Sequence, residues 1–201
     1  MGHAGTLDPL ATGLLIVCTG KETKNIDLYQ AQEKEYTGTF RLGATTPCFD
    51  LEKEVDFHFP TAHITESLIL EAATKFVGTQ EQIPPLFSAI KIGGKRAYKL
   101  ARAGKEAEIK SRTITISEFE ITAINGQDVS FRVICSKGTY IRSLARDMGL
   151  ALNSGAHLTA LCRTRIGTYV LSDALTIETF EEQCQGSGSA PTVTDPLPEH
   201  G

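Results

Sequence analysis

Residues 112–135, RTITISEFEITAINGQDVSFRVIC, alternate apolar and polar side chains on both sides of an Asn-Gly turn. This is the pattern of an antiparallel β-hairpin with one buried face. The first arm sets Ile114 and Ile116 in phase, then slips to Phe119 and Ile121. A slip of one residue predicts a β-bulge. The second arm keeps Val129, Phe131, Val133 and Cys135 in phase.

The rest of the chain supplies more strands and the helices to cover them. KEYTGTFRLG at 34–43 alternates Tyr36, Gly38, Phe40 and Leu42, and LTALCRTRIGTYVL reads as a late strand. LLIVCTG reads as a short buried strand. ITESLILEAATKFV at 64–77 predicts an amphipathic helix with Ile64, Leu68, Ala72 and Phe76 in one stripe, begun near Thr65 and stopped by Gly78. GTYIRSLARDMGLAL predicts another, with Leu144, Met148 and Leu152 in line. SDALTIETFEEQC predicts a last helix capped by Ser172 or Asp173. ATTPCFDLEKEVD reads as a turn-rich connection. TQEQIPPLFSAIKIGGK at 79–95, with Pro84–Pro85 and Gly93–Gly94, reads as a long ordered loop leading into a short helix that Gly104 ends. The expected fold is mixed α+β, with a mainly antiparallel sheet and flanking helices.

The 201 residues suffice to bury a core without a disulfide or metal staple. Five scattered cysteines with no CxxC pair fit free thiols in a reducing cytoplasm. The histidines show no ligand spacing with them, so no metal site is expected. No run of eighteen apolar residues exists, so no membrane span is expected.

Taken alone, a net charge of −4 argues against a nucleic-acid partner. The distribution argues the other way. Residues 91–105 carry Lys91, Lys95, Arg96, Lys99, Arg102 and Lys105 with no acid among them. Lys137, Arg142, Arg146, Arg163 and Arg165 follow, and together they suggest a side that faces a polyanion. A solvated helix face explains any single run equally well.

The chain opens on GHAGTLDPLATGLLIV, a glycine-rich loop around Asp8. Pro9 biases Asp8 away from the α region, and Gly2, Gly5 and Gly13 let backbone or ligand approach. Such a loop can present one carboxylate at a fixed place, or the aspartate can simply cap its own turn. The glycines spell neither GxGxxG after a strand nor a P-loop. A glycosidase needs a second carboxylate, and nothing in the sequence brings Asp50 to Asp8.

GHAGTLDPLATGLL, KEYTGTFRLGATTPCFDLE, QIPPLFSAIKIGGKRAYKLARAG and CSKGTYIRSLARDMG…GAHLTALCRTRIG resemble, in order, the motifs of the TruB family of tRNA pseudouridine synthases. The resemblance spans residues 2–182. It implies the pseudouridine synthase fold with a thumb at about 79–105 and a catalytic domain over 1–182. By composition alone, 183–201 reads as a disordered tail. It implies isomerisation of the uridine at position 55, in the T-loop of tRNA, with no cofactor and no metal. It assigns Asp8 as the nucleophile and Arg142 as its partner, which keeps the acid charged. Tyr36 would stack on the target base, Tyr140 and Leu161 would line the uridine pocket, and His3 would enter the T-loop. Without the resemblance, Arg142 reads as a surface helix arginine, Tyr36 and Leu161 as core, and His3 as inert. Lys91, Lys95, Arg96 and Lys99 would meet RNA phosphates from the thumb.

Against the family pattern the sequence starts at the catalytic loop, without the usual preceding strand and helix and without a C-terminal PUA domain. A compact bacterial enzyme acting alone as a monomer on a T-arm stem-loop, with no guide RNA, is the expectation. TTPCFDLE departs from the more frequent acidic version, an expected change in RNA contacts rather than chemistry. The other expectation is a tRNA-gripping module with little or no catalysis.

Overall fold

The computed structural model describes residues 1–85, 91–92, 95–96 and 109–186. By contacts the chain divides into Met1–Leu171 and Ser172–Gly201. The first unit starts with three two-residue strands: β1 (Gly2–His3), β2 (Thr12–Gly13) and β3 (Val17–Cys18). A 3-10 turn and α1 (Ile26–Ala31) follow. Next come β4 (Lys34–Leu42), β5 (Ala44–Thr45), β6 (Phe57–His58), α2 (Glu66–Lys75) and β7 (Gly78–Gln82). β8 (Lys91–Ile92) and β9 (Lys95–Arg96) pair with each other. β10 (Arg112–Asn125), β11 (Asp128–Cys135), α3 (Ile141–Ala151), β12 (Ala156–Ile166) and β13 (Tyr169–Val170) complete it. In the second unit α4 (Ile177–Gly186) is capped by the Thr176 hydroxyl, which accepts the Thr179 N–H at 3.1 Å. The cap is thus neither Ser172 nor Asp173.

The main sheet runs β13-β12-β4-β11-β10-β7, antiparallel throughout, with β2 joining β12 in parallel. The hairpin forms as its alternation requires, and Asn125 pairs with Asp128 across the turn. The ladder shifts between Ile116 and Glu118, where the phase slip predicted a bulge, and again between Ile121 and Ala123.

One face of the sheet carries Phe40, Leu42, Ile114, Ile116, Val129, Phe131 and Val133, all buried. α2 packs against β10 and α3 against β12, and Ile69, Ala72, Leu144 and Met148 join the same core. Burying each such aliphatic or aromatic side chain contributes about 1.5–3 kcal/mol. The Leu144–Met148–Leu152 stripe is buried as predicted. The α2 stripe is rotated: Ile69, Ala72 and Ala73 are buried while Leu68 is 42% exposed. Thr65 caps that helix through the Leu68 N–H.

Two further expectations fail. LLIVCTG is not a continuous buried strand, because Leu15 and Val17 face solvent and only Leu14 and Cys18 are inside. The loop read at 79–95 is strand at both ends: residues 78–82 pair with β10, and 91–92 pair with 95–96. Thr-Gln-Glu-Gln has no apolar alternation, so only pairing to β10 reveals it. The short helix expected before Gly104 lies outside the described residues.

The opposite face of the sheet is held by ion pairs. Arg132 reaches Glu35 at 2.8 Å and Glu118 at 2.7 Å, and Arg165 reaches Glu33 at 3.1 Å. Burial alone pushes the Glu35 carboxyl up. Hydrogen bonds from Thr164 and Arg132, with the charges of Arg132 and Arg165, outweigh this and hold it below the usual carboxylate range. A depressed folded-state pKa gives stability that is present above the unfolded value and lost as pH falls through the folded one. Glu35→Gln should therefore cost about 1–2 kcal/mol at pH 7. Urea unfolding should show that gap narrowing as pH falls below the ordinary carboxylate range.

Candidate active site

The end of the sheet where β4 and β10 begin and β11 ends opens into a cleft of about 1340 Å³. A pocket for a small molecule is about 300–1,000 Å³, so this cleft has room for more than one nucleotide's worth of contacts. The loop 5–9, Tyr36, Tyr140, Arg142 and Leu161 all line it. Four of the residues predicted around Asp8 thus converge on it, from four different elements or loops.

α3 starts at Ile141, and this start places Arg142. Its Nε donates to Asp8 Oδ2 at 3.0 Å and its Nη2 to Oδ1 at 2.8 Å, a two-pronged pair. The arginine is 3% exposed and the aspartate 30% exposed, so the cation is buried and the carboxylate reaches the cleft. Nη1 donates to the Cys48 carbonyl at 3.1 Å. Asp50 Oδ2, buried and without a hydrogen bond among the described residues, faces Arg142 Nε at 3.5 Å. Its Oδ1 accepts the Glu52 N–H.

The turn 46–50 was read as a connection in which a changed residue would alter RNA contacts. In the fold it is packed behind Arg142. Cys48 is fully buried, Thr46 binds the Asp50 carbonyl, and Phe49 sits at a φ of +65° between them. Asp50 therefore does come to the Asp8 site, sharing its arginine. Nothing in Thr-Pro-Cys-Phe-Asp, read as a turn, signals this partnership.

Tyr36 is half-buried at the start of β4, opposite Arg163 of β12. Burial pushes its phenol above the ordinary value, so the ring stays neutral at physiological pH. Leu161 lies on the same strand as Arg163 and is 8% exposed. Tyr140 is held by Gln82, which sequence reasoning passed over. The Tyr140 N–H donates to Gln82 Oε1 at 2.8 Å, and Gln82 Nε2 donates to the Tyr140 carbonyl at 3.1 Å. Gln82 is buried at the end of β7, directly across from Arg112, whose guanidinium lies 5.8 Å from the Tyr140 ring centre.

His3 is exposed on β1 and does not line the cleft. Lys91, Lys95 and Arg96 belong to the small β8–β9 hairpin, and Lys99 lies outside the described residues. The second basic group is only in part an exposed cationic surface, although Lys137, Arg142 and Arg163 all line the cleft. Arg142 and Arg163 are buried, and Arg165 is bound to Glu33. Counting cations along β12 could not tell a strand's inward residues from its outward ones. Lys137 does remain exposed at the cleft. Another buried cation, Lys34, holds the Gln32 carbonyl at 2.6 Å, and burial, with Arg163 nearby, lowers its pKa.

A mixed α+β fold with a buried arginine presenting an aspartate into a wide cleft is what the TruB resemblance anticipates. Comparison with known proteins places the chain in that family. Residues 1–141 match the family model described as TruB family pseudouridylate synthase, N-terminal domain. Residues 142–191 match that of the tRNA pseudouridylate synthase B C-terminal domain. The chain belongs to the TruB family, a family of pseudouridine-forming isomerases. It is 59% identical over 182 residues to tRNA pseudouridine synthase B of Phocaeicola vulgatus, covering 90% of this chain and 77% of that one. To the protein of the same name from Flavobacterium johnsoniae it is 61% identical over 185 residues, covering 92% and 81%. Among solved structures, a chain of a Cbf5-Nop10-Gar1 complex superposes with a TM-score of 0.63 at 34% identity. The match covers 84% of this chain and spans 41% of that one. Among the described residues no helix is long and apolar enough to cross a membrane.

Proposed function

We propose that this protein isomerises a uridine of tRNA, at position 55 in the T-loop, to pseudouridine, with Asp8 as the carboxylate that acts on the sugar. The target nucleotide leaves its stack to reach the cleft, as bases must when chemistry is done on them. Tyr36 stacks on the base, and Tyr140 and Leu161 close the pocket around it. Asp8 either attacks C1′ or takes a sugar proton. The N1–C1′ bond breaks, the base turns over, and C5 bonds to C1′. The C5 proton leaves and N1 gains one, so atoms balance without a cofactor. Arg142 fixes both carboxylate oxygens and balances their charge.

The observation that carries this reading is the two-pronged Asp8–Arg142 pair beside Tyr36, in a chain of the TruB family. The T-arm and the action as a monomer in the cytoplasm belong to the same proposal, as does the phosphate-binding role of Lys91, Lys95, Arg96 and Lys99. His3 would contact the T-loop from outside the cleft. The test uses stem-loops carrying tritium at C5 of uridine, because bonding at C5 releases it. A T-arm stem-loop should release the label of one uridine, and an anticodon hairpin of equal length none. Equal release from both, or from neither, refutes the assignment.

A further inference from the structure

We propose that Arg163 is a positioning residue of the reaction, clamping both ends of the Asp8 loop in register with Tyr36. The inference rests on the reading of Asp8 as the nucleophile. Arg163 is 2% exposed, among the largest fully buried side chains described. Its Nε donates to the Leu14 carbonyl at 2.8 Å and its Nη2 to the Gly5 carbonyl at 3.2 Å. Its own carbonyl accepts the Leu14 N–H at 2.8 Å. One residue therefore holds the chain three residues before Asp8 and six residues after it.

Between those anchors the loop has little of its own. The Ala11 N–H donates to the Asp8 carbonyl, and no other backbone hydrogen bond within 6–11 occurs among the described residues. The glycines fit this clamp. Gly13 has φ +103°, and a Cβ there would stand 2.3 Å from the Arg163 carbonyl oxygen. Gly5 has φ +97°, and a Cβ there would lie 3.6 Å from Arg163 Nη1. The close approach to Arg163 therefore requires a glycine at 13, whereas at Gly5 the left-handed backbone alone favours one.

The chemistry of the group supports a geometric role. Among the described residues no carboxylate lies within ion-pair distance of Arg163. A buried cation without an acid is costly, and carbonyls relieve it only in part. A planar guanidinium fixes the directions of its donors, so it can set two carbonyls at a defined separation, which the rotatable ammonium of a lysine does less rigidly and an apolar side chain not at all. Arg163 also faces Tyr36 across the β4–β12 ladder, and the Tyr36 phenol feels both Arg163 and Asp8. The clamp thus sets the distance between the carboxylate and the ring expected to hold the base.

The test uses Arg163→Lys and Arg163→Met in the full chain, with two readouts. Hydrogen exchange of residues 2–16 should quicken by about tenfold or more in both variants, while the hairpin 112–135 keeps its protection. In the tritium assay kcat should fall about 100-fold in Arg163→Met with KM nearly unchanged, as for a reacting group displaced by an ångström. Arg163→Lys should lie between it and the wild type. Unchanged exchange in 2–16 overturns the proposal, whatever the activity. So does loss of protection across 112–135 in both variants, which would make Arg163 a residue of the general core. A wild-type chain that releases no tritium refutes the assigned reaction instead, and the exchange of 2–16 still decides whether Arg163 clamps the loop.

Discussion

Asp8→Asn should cut tritium release from a T-arm stem-loop by at least about 10⁴-fold, the scale of removing a nucleophile that works with a fixed partner. Affinity for the RNA should stay within about threefold, because few of the contacts in so large a cleft are made by one carboxylate. The amide keeps the size of the side chain and one of its acceptor oxygens, so Arg142 retains a hydrogen bond and the fold is kept. What is lost is the anionic oxygen. Asparagine can neither attack C1′ nor accept a sugar proton. Filter binding together with single-turnover release separates the two effects. A chain that only grips tRNA would show no release from the wild type and no difference between the two proteins.

The second large effect concerns Arg142, which serves two carboxylates. Arg142→Met removes the donors from Asp8 and leaves Asp50, 5% exposed at its side chain, buried without its cation. Breaking a buried pair in this way costs about 3–5 kcal/mol, most of it from the stranded charge. The variant should therefore melt well below the wild type as well as lose turnover. Adding Asp50→Asn removes the stranded charge. The double variant should recover a large part of the lost stability and none of the lost activity, since Asp8 is still unheld. Urea melts of the four proteins form a double-mutant cycle with a coupling of about 1–3 kcal/mol between the two positions. Simple additivity would show that Asp50 does not lean on Arg142.

The alternation of β4, β10 and β11 was legible because a half-buried antiparallel strand repeats every two residues, and a bulge leaves its mark as a slip. Asp8, Arg142, Tyr36, Tyr140 and Leu161 came from motif resemblance, and the geometry brings those five to one cleft. Periodicity by itself could not join residues 134 positions apart. What stayed hidden depended on partners rather than patterns. Gln82 looks like any polar residue until its amide is seen to hold both backbone groups of Tyr140. Asp50 looks like a turn residue until Arg142 lies beside it. Arg163 counted as one more cation on a basic side, whereas the strand turns it inward to two carbonyls. Part of what holds the glycine-rich opening thus comes from β12, 149 residues beyond Leu14.

The most direct measurement is a crystal structure of the chain with a T-arm stem-loop. One uridine should lie everted on the Tyr36 ring, with an Asp8 oxygen within about 3.5 Å of its C1′, the approach a reacting pair requires. A stem-loop bound with its uridines stacked, or with the Asp8 carboxylate turned away from the sugar, would contradict the account.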